Sequence, residues 1–189
     1  MVLMLLTKTQ QLQLLQTAKD SIAYGLRHGQ ALPVNSGDYD PELQEIRASF
    51  VTLEIHHQLR GCIGMLEAVR PLIVDIAENA FAAAFRDYRF PPVTAAEYEQ
   101  LEIHLSILTK PELIKFDSEE DLLRQIRPNI DGLILQEGAQ RGTFLPSVWE
   151  SLPEPHDFLC HLKQKAGFDP DYWSDSVKVY RYECDIISE

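Results

Sequence analysis

The residues best suited to chemistry stand together in one hexapeptide, Leu59-Arg60-Gly61-Cys62-Ile63-Gly64. It holds a thiol, a guanidinium group and two glycines. Because side chains two residues apart in an extended strand point to the same side, Arg60 and Cys62 are expected to share a face. Glycine has no Cβ, so Gly61 and Gly64 allow a second backbone or a small ligand to approach closely. The hexapeptide therefore predicts a site.

Cys62 has two interpretations, which the sequence leaves open. As a thiolate it is a candidate catalytic nucleophile, and the nearby guanidinium group of Arg60 would favour that charged form. As a neutral thiol it is a small apolar residue that fills a tight strand crossing. The other two cysteines, Cys160 and Cys184, form no CxxC pair with it, and no HExxH motif is present. Neither a metal nor a cofactor is therefore expected.

Four arginines are candidates for an anion-binding pocket, because a guanidinium group binds carboxylate and phosphate through two parallel hydrogen bonds. In an acidic chain they could equally form structural ion pairs, for example with Asp87 and Glu102. Thr143 adds a polar group close to one of them. The predicted ligand-binding residues are Arg60, Gly61, Gly64, Arg86, Arg89, Arg141 and Thr143.

Three histidines, His56, His57 and His104, are candidate general bases. His104 alternates with Glu102 and Ser106, so a carboxylate that could orient the imidazole lies on the same strand face. The alternative is that these histidines are simply exposed on the polar face of a strand.

The hexapeptide closes the most regular strand pattern in the chain, which predicts a half-buried strand over 50–63. Its apolar side is expected to face a helix over 71–87 that carries a wide apolar stripe. A bulge at Gly61 would shift the register and change the face on which Cys62 lies. The apolar members of the alternation are Val51, Leu53, Ile55 and Leu59.

Similar patterns predict the other elements. Because strands and helices do not alternate as βαβ units, the class is α+β, with a mainly antiparallel or mixed sheet flanked by helices. The further predicted helices are 9–28, capped by Thr7 or Thr9, then 118–126, 146–152 and 157–166. The further predicted strands are 101–107, a hairpin of 132–136 with 142–145, and a final strand over 177–187.

Length and charge limit the classes of function. At 189 residues the chain is expected to form a single domain over 1–189, or one domain with two lobes. A net charge of −12 disfavours nucleic acids and anionic membrane surfaces as partners. Three widely spaced cysteines are typical of a reducing compartment, and no membrane span is seen, so we expect a cytoplasmic protein.

The hexapeptide resembles the signature of the AMMECR family, whose prokaryotic members are called AmmeMemoRadiSam system protein A. Other segments are similar to family segments in the same order, and the resemblance spans roughly residues 10–186. It departs at Tyr88, where a proline is expected, and at Ser147, where a glutamine is expected. The similar segments are 84–87 with 89–92, 132–134, 141–146 and 158–167.

The resemblance implies an α+β fold with a main antiparallel sheet and a smaller second lobe, and it brings no cofactor or established activity. It also implies a pathway shared with a Memo-like protein and a radical-SAM enzyme. Three functions stay open: an accessory protein that binds a partner or a small anionic ligand at a cleft around the hexapeptide, an enzyme that uses Cys62 covalently, and a scaffold that contacts proteins only. The accessory protein is favoured, because no convincing base stands near Cys62 in the sequence.

Overall fold

Two four-stranded sheets organise the chain, and each is associated with its own hydrophobic core. The computed structural model describes residues 6–188. The first unit comprises the chain up to Leu108 together with the segment that starts at Asp185, and the second unit is Thr109–Cys184. Helices and strands do not form βαβ repeats, so the predicted α+β class is confirmed.

The first unit places helices on a sheet of order β2-β1-β3-β8. β1 pairs antiparallel with both β2 and β3, which leaves β2 as an outer strand. The strands are β1 (Ser49–Ile55), β2 (Gln58–Gly64), β3 (Glu102–Leu108) and β8 (Cys184–Ser188). The helices are α1 (Lys8–His28), α2 (Pro41–Gln44), α3 (Leu72–Phe85) and α4 (Ala95–Tyr98), with a 3₁₀ turn at Ser36–Asp38.

α1 begins and ends where its sequence signals lie. Thr7 accepts a hydrogen bond from the backbone of Gln10, and the Gln10 side chain accepts one from the Thr7 backbone, which completes a capping box. The helix ends at Gly29, whose φ of 70° lies in the left-handed region that glycine adopts without strain. The helix predicted over 9–28 is confirmed.

α3 packs on the first sheet because its apolar stripe meets alternate side chains of β1. Val51 and Leu53 are fully buried, and Ile55 is half-buried against the same core. Leu72 and Ile76 of the helix are fully buried as well. Each such aliphatic side chain contributes about 1.5–3 kcal/mol to folding. The predicted apolar face of the strand is therefore confirmed.

The single strand predicted over 50–63 is wrong, because this segment turns back at residues 56–57 and forms the hairpin of β1 and β2, which also contains a bulge. Leu53 pairs with Gly61, but Glu54 pairs with Leu59, so Arg60 is the extra residue without a partner in β1. Leu59 is consequently 43% exposed. Its predicted place on the apolar side of the strand is wrong, because the alternation was extended through the two-residue turn at His56 and His57, which places Leu59 opposite Glu54 on the polar face.

The second unit builds a sheet of order β4-β7-β5-β6. The predicted hairpin is present as β5 and β6, and Trp149, Phe158 and Leu162 are fully buried in this unit's core. The strands are β4 (Glu112–Leu113), β5 (Gly132–Glu137), β6 (Gln140–Phe144) and β7 (Lys178–Tyr182). The helices are α5 (Glu119–Gln125) and α6 (Pro155–Lys165), with a 3₁₀ helix at Pro146–Glu150.

The C-terminal segment forms two strands, although a single strand over 177–187 was predicted. β7 belongs to the second sheet and β8 to the first. Between them Glu183 exchanges hydrogen bonds with Thr109: its N–H donates to the Thr109 hydroxyl, and its carbonyl accepts from the Thr109 N–H. A run of β-branched and aromatic residues does not reveal that the backbone changes partners in its middle.

Candidate functional site

The hexapeptide lies on the outer strand β2, where backbone groups that face away from β1 need partners from elsewhere. For Cys62 these partners come from the turn that follows α3. Its N–H donates to Oδ2 of Asp87 over 2.9 Å, and its carbonyl accepts from Nη2 of Arg89 over 3.2 Å. The turn thus covers the open edge of the strand at the cysteine.

Asp87 is the residue that fixes this turn. It is 4% exposed, and its carboxylate accepts hydrogen bonds from the backbone of Cys62 and from the backbone and side chain of Arg89. The hydrogen bond from the Arg89 side chain, helped by those from the two backbones, holds the pKa of Asp87 well below its usual range despite burial. The same pair raises the pKa of Arg89. Asp87 is therefore an ionised, buried anchor.

Arg60 forms a second anchor next to the first. It is 9% exposed, and its Nε and Nη2 donate to the two carboxylate oxygens of Glu97 over 2.8 and 3.2 Å. Nη2 also donates to the carbonyl of Pro91 over 2.9 Å, and the guanidinium carbon lies 5.9 Å from the centre of the Phe90 ring. Nη1 is buried and has no hydrogen-bond partner within residues 6–188.

Glu97 forms hydrogen bonds with the nearby Thr94 as well as with Arg60. It closes a capping box with Thr94 at the start of α4. The hydrogen bonds from the Arg60 side chain and then from the Thr94 backbone lower the pKa of Glu97 to about 2. The bulge in β2, the turn after α3 and the start of α4 therefore form one network of charge-assisted hydrogen bonds.

The two glycines of the hexapeptide are explained by backbone contacts within the first unit. A Cβ on Gly61 would overlap the carbonyl oxygen of Ala83 in α3, and one on Gly64 would overlap the carbonyl oxygen of Ser49 in β1. The close approach predicted at Gly61 is thus made by the backbone of a helix. Neither glycine needs a ligand to account for it.

The thiol of Cys62 lies on the face of the hairpin opposite to the core residue Leu53. Cys62 pairs with Thr52 in β1, and its Sγ is 3.3 Å from the Thr52 hydroxyl. Because both backbone groups of Cys62 turn away from β1, this is a non-hydrogen-bonded pair, in which side chains come close. Cys62 is half-buried. No histidine of the described chain forms a hydrogen bond with its thiol.

Three further predicted ligand residues have contacts of their own. The Arg86 guanidinium carbon lies 4.9 Å from the centre of the Phe81 ring, and the residue lines a groove of about 780 Å³ with residues 30–35. Arg141 and Thr143 belong to β6 in the second unit, where the Thr143 hydroxyl donates to the carbonyl of Leu133. A ligand-binding role for these residues, and for those of the hexapeptide, stays a prediction.

Two members of the network were not predicted as site residues, namely Asp87 and Glu97. Asp87 was considered only as a structural ion-pair partner. The spacing Thr94-x-x-Glu97 is a capping-box signal that could have located α4. Nothing in the sequence pairs Glu97 with Arg60, because the two are 37 positions apart.

The fold and this network define a two-unit α+β protein whose arginine-glycine-cysteine segment is anchored on an outer strand. The chain belongs to the AMMECR1 family, whose sequence model matches residues 15–187, so the family resemblance is confirmed. Within residues 6–188 no helix is long and apolar enough to cross a membrane.

Relatives and a solved structure support this assignment. A protein of Methanocaldococcus jannaschii is 42% identical over 159 residues, which is 80% of this chain and 77% of that relative. A protein of Thermococcus onnurineus is 37% identical, with 93% of this chain and 88% of the relative aligned. The crystal structure of an uncharacterized protein from Pyrococcus horikoshii is similar with a TM-score of 0.80 at 36% identity, over 92% of this chain and 88% of that chain.

Proposed function

We propose that the chain is an accessory protein that binds a partner protein at the surface around Cys62 and the 86–92 turn. The observation that carries the proposal is the burial of Asp87, which ties this turn to β2 through two different backbone segments. A turn held in this way presents its outer side chains in one conformation. Less conformational entropy is then lost on binding than for a flexible loop.

The outer face of the turn carries the residue types that dominate protein interfaces. Tyr88 is 95% exposed, and the Arg89 side chain is 43% exposed although its guanidinium group is bound to Asp87. Tyrosine and arginine are enriched among the residues that contribute most to binding energy.

The partners that the family resemblance implies are a Memo-like protein and a radical-SAM enzyme, and we propose them as the proteins to test. A small anionic ligand is proposed at the same surface, close to Arg89. Its affinity is expected to be low, because Asp87 already opposes the charge of Arg89 and Glu97 opposes that of Arg60. A carboxylate on the partner protein could bind close to Arg89 in the same way as a small anion.

The geometry around Cys62 favours binding over covalent catalysis. A catalytic thiol is normally activated by a base within hydrogen-bond reach. The neighbour of the Cys62 thiol is the hydroxyl of Thr52, which is not a base at neutral pH. We therefore assign Cys62 to the contact surface.

The test measures the affinity of the full chain for a purified Memo-like protein and a purified radical-SAM enzyme from the same organism. We expect Tyr88→Ala to weaken binding by roughly tenfold or more, as for a central interface tyrosine. The matched control is Leu12→Ala, which removes an exposed side chain from α1. Wild-type protein that binds neither partner, or Tyr88→Ala that binds as the control does, would refute the proposed surface.

A separate measurement addresses the enzymatic alternative. The rate at which iodoacetamide alkylates Cys62, followed by peptide mass spectrometry, is compared with that of free cysteine at the same pH. A binding residue is expected to react no faster than free cysteine, because Cys62 is half-buried. Faster alkylation would support a nucleophile and count against our assignment.

A further inference from the structure

We propose that the outer end of the β1–β2 hairpin and the adjacent part of β3 form a binding site for a divalent transition-metal ion of the zinc type. Its ligands are Glu54, His57, Glu102 and His104. This inference does not depend on the proposed protein partners.

Two carboxylates meet at this site across the sheet. Glu54 of β1 and Glu102 of β3 are directly opposite each other in the antiparallel register. Like charges at such positions repel each other and destabilise a sheet, unless a positive group lies between them. No lysine or arginine of the described chain forms an ion pair with either carboxylate.

The imidazole of His57 completes a group of three, and that of His104 lies beside Glu54. Nδ1 of His57 is 3.4 Å from Oε2 of Glu102, and Nε2 of His104 is 3.5 Å from Oε2 of Glu54. One ligand atom from each of Glu54, His57 and Glu102 lies within 4.8 Å of the others. Ligands of a tetrahedral zinc ion, with bonds near 2.1 Å, are about 3.4 Å apart. The His57–Glu102 and His104–Glu54 distances already have this length. His104 lies outside the group of three, so simultaneous binding by all four ligands requires side-chain rotation.

His104 supplies the observation that points to a ligand. Its Nδ1 is 2.8 Å from the hydroxyl of Ser188 in β8, and its Nε2 is buried with no hydrogen-bond partner within residues 6–188. With the proton on Nδ1, the imidazole donates to Ser188 and directs the lone pair of Nε2 toward Glu54. Metal-binding histidines are commonly oriented in this way, through a hydrogen bond from the other ring nitrogen.

The turn of the hairpin places His57 beside the sheet. His56 and His57 form its two central residues, with φ angles of 53° and 60°. This is the two-residue hairpin turn that asparagine and glycine normally occupy, because both central residues need a positive φ. The turn therefore fixes the position of His57 relative to Glu102, and it offers His56 as a neighbour outside the group.

The ligand set selects the class of ion. Two imidazole nitrogens and two carboxylate oxygens suit zinc and the neighbouring divalent metals, whereas calcium and magnesium prefer oxygen ligands alone. The sequence contains no spacing motif for this site, because its ligands come from β1, from the hairpin turn, and from β3, which begins 45 positions after His57.

The experiment titrates the chelator-treated full chain with zinc in competition with a chromophoric chelator, and it repeats the titration with cobalt to read the coordination geometry from the visible spectrum. We expect one equivalent of zinc to bind, cobalt to show the intense bands of a tetrahedral complex, and magnesium in excess not to compete. His57→Asn and His104→Asn should each weaken zinc binding by roughly tenfold or more, since loss of a mere orienting group already costs that much.

The matched control is His56→Asn, because His56 is in the same turn but is not a proposed ligand. Asparagine tolerates the positive φ at both turn positions, so neither variant should strain the backbone. It should bind zinc as the wild type does, and circular dichroism confirms that each variant is folded. The proposal is overturned if the wild type binds less than one equivalent, or if His57→Asn and His56→Asn bind alike. It is also overturned if zinc binding disappears with His156→Ala, which would place the ion near Cys160 on α6.

Discussion

The close contact between β2 and α3 predicts a measurable cost for the smallest change at Gly61. In Gly61→Ala the new methyl group would overlap the carbonyl oxygen of Ala83 and lie 3.1 Å from its carbonyl carbon. The obstructing atoms are helix backbone, and α3 is held in the core by Leu72 and Ile76, so neither side can move cheaply. Overpacking of this kind costs about 1–3 kcal/mol.

Urea unfolding followed by far-UV circular dichroism measures this cost. Tryptophan fluorescence is unsuitable, because Trp149 and Trp173 both lie in the second unit. With a slope of about 2 kcal/mol per molar urea, the expected loss lowers the midpoint by roughly 0.5–1.5 M. The control is Gly37→Ala, whose methyl group would lie at an ordinary 3.6 Å from Asn35. Equal midpoints for the two variants would refute the role assigned to the Ala83 contact.

Two carboxylates of the network predict how stability depends on pH. Asp87→Asn should lose about 1.5–3 kcal/mol at neutral pH, the value of a charge-assisted hydrogen bond. Because folding lowers the pKa of Asp87, its carboxylate stabilises the protein above the ordinary carboxyl pKa of 3.8, and this stabilisation is lost as the pH falls below that value. The difference in the free energy of unfolding between Asp87→Asn and wild type should therefore shrink in acid. Glu97→Gln should likewise have a lower free energy of unfolding than wild type above pH 4.5, and this difference should disappear towards pH 2. The control Glu99→Gln, at an exposed position, should be as stable as wild type throughout. Thermal unfolding between pH 2 and 7 measures both, and a difference that is constant across this range would contradict the linkage.

The parts of the fold that were predicted correctly are those determined by neighbouring residues. The capping box at Thr7 and the glycine at 29 set the ends of α1, and the alternation from Val51 to Ile55 sets the buried face of β1. Such signals depend on hydrogen bonds within one turn, or on which side of a strand meets a core.

The parts that failed depend on partners far away in the sequence. At the bulge, the guanidinium group of Arg60 is bound to Glu97 and Pro91, more than 30 positions further on. The turn at residues 56–57 places Leu59 opposite Glu54 on the polar face, and the alternation of residue types does not show where this turn lies. The same limit applies to the proposed metal ligands, which come together through the register of β1 and β3.

Four of the six positions of the hexapeptide are explained by contacts in the structure, whereas the exposed Leu59 and the Cys62 thiol are not. Gly61 and Gly64 are required by backbone contacts, Arg60 by its ion pair, and Ile63 by the core of the first unit. The Cys62 side chain contacts the hydroxyl of Thr52, a partner that serine would serve equally well.

Cys62→Ser should therefore change the free energy of unfolding by no more than about 0.5 kcal/mol, as for a substitution that creates no cavity or unpaired buried group. If the cysteine belongs to the contact surface, the same variant should weaken binding to the partner protein while its urea midpoint stays constant. A loss of stability without a loss of binding would instead make Cys62 a structural residue of the strand edge. The comparison of these two measurements decides whether the thiol or only its backbone is needed at this position.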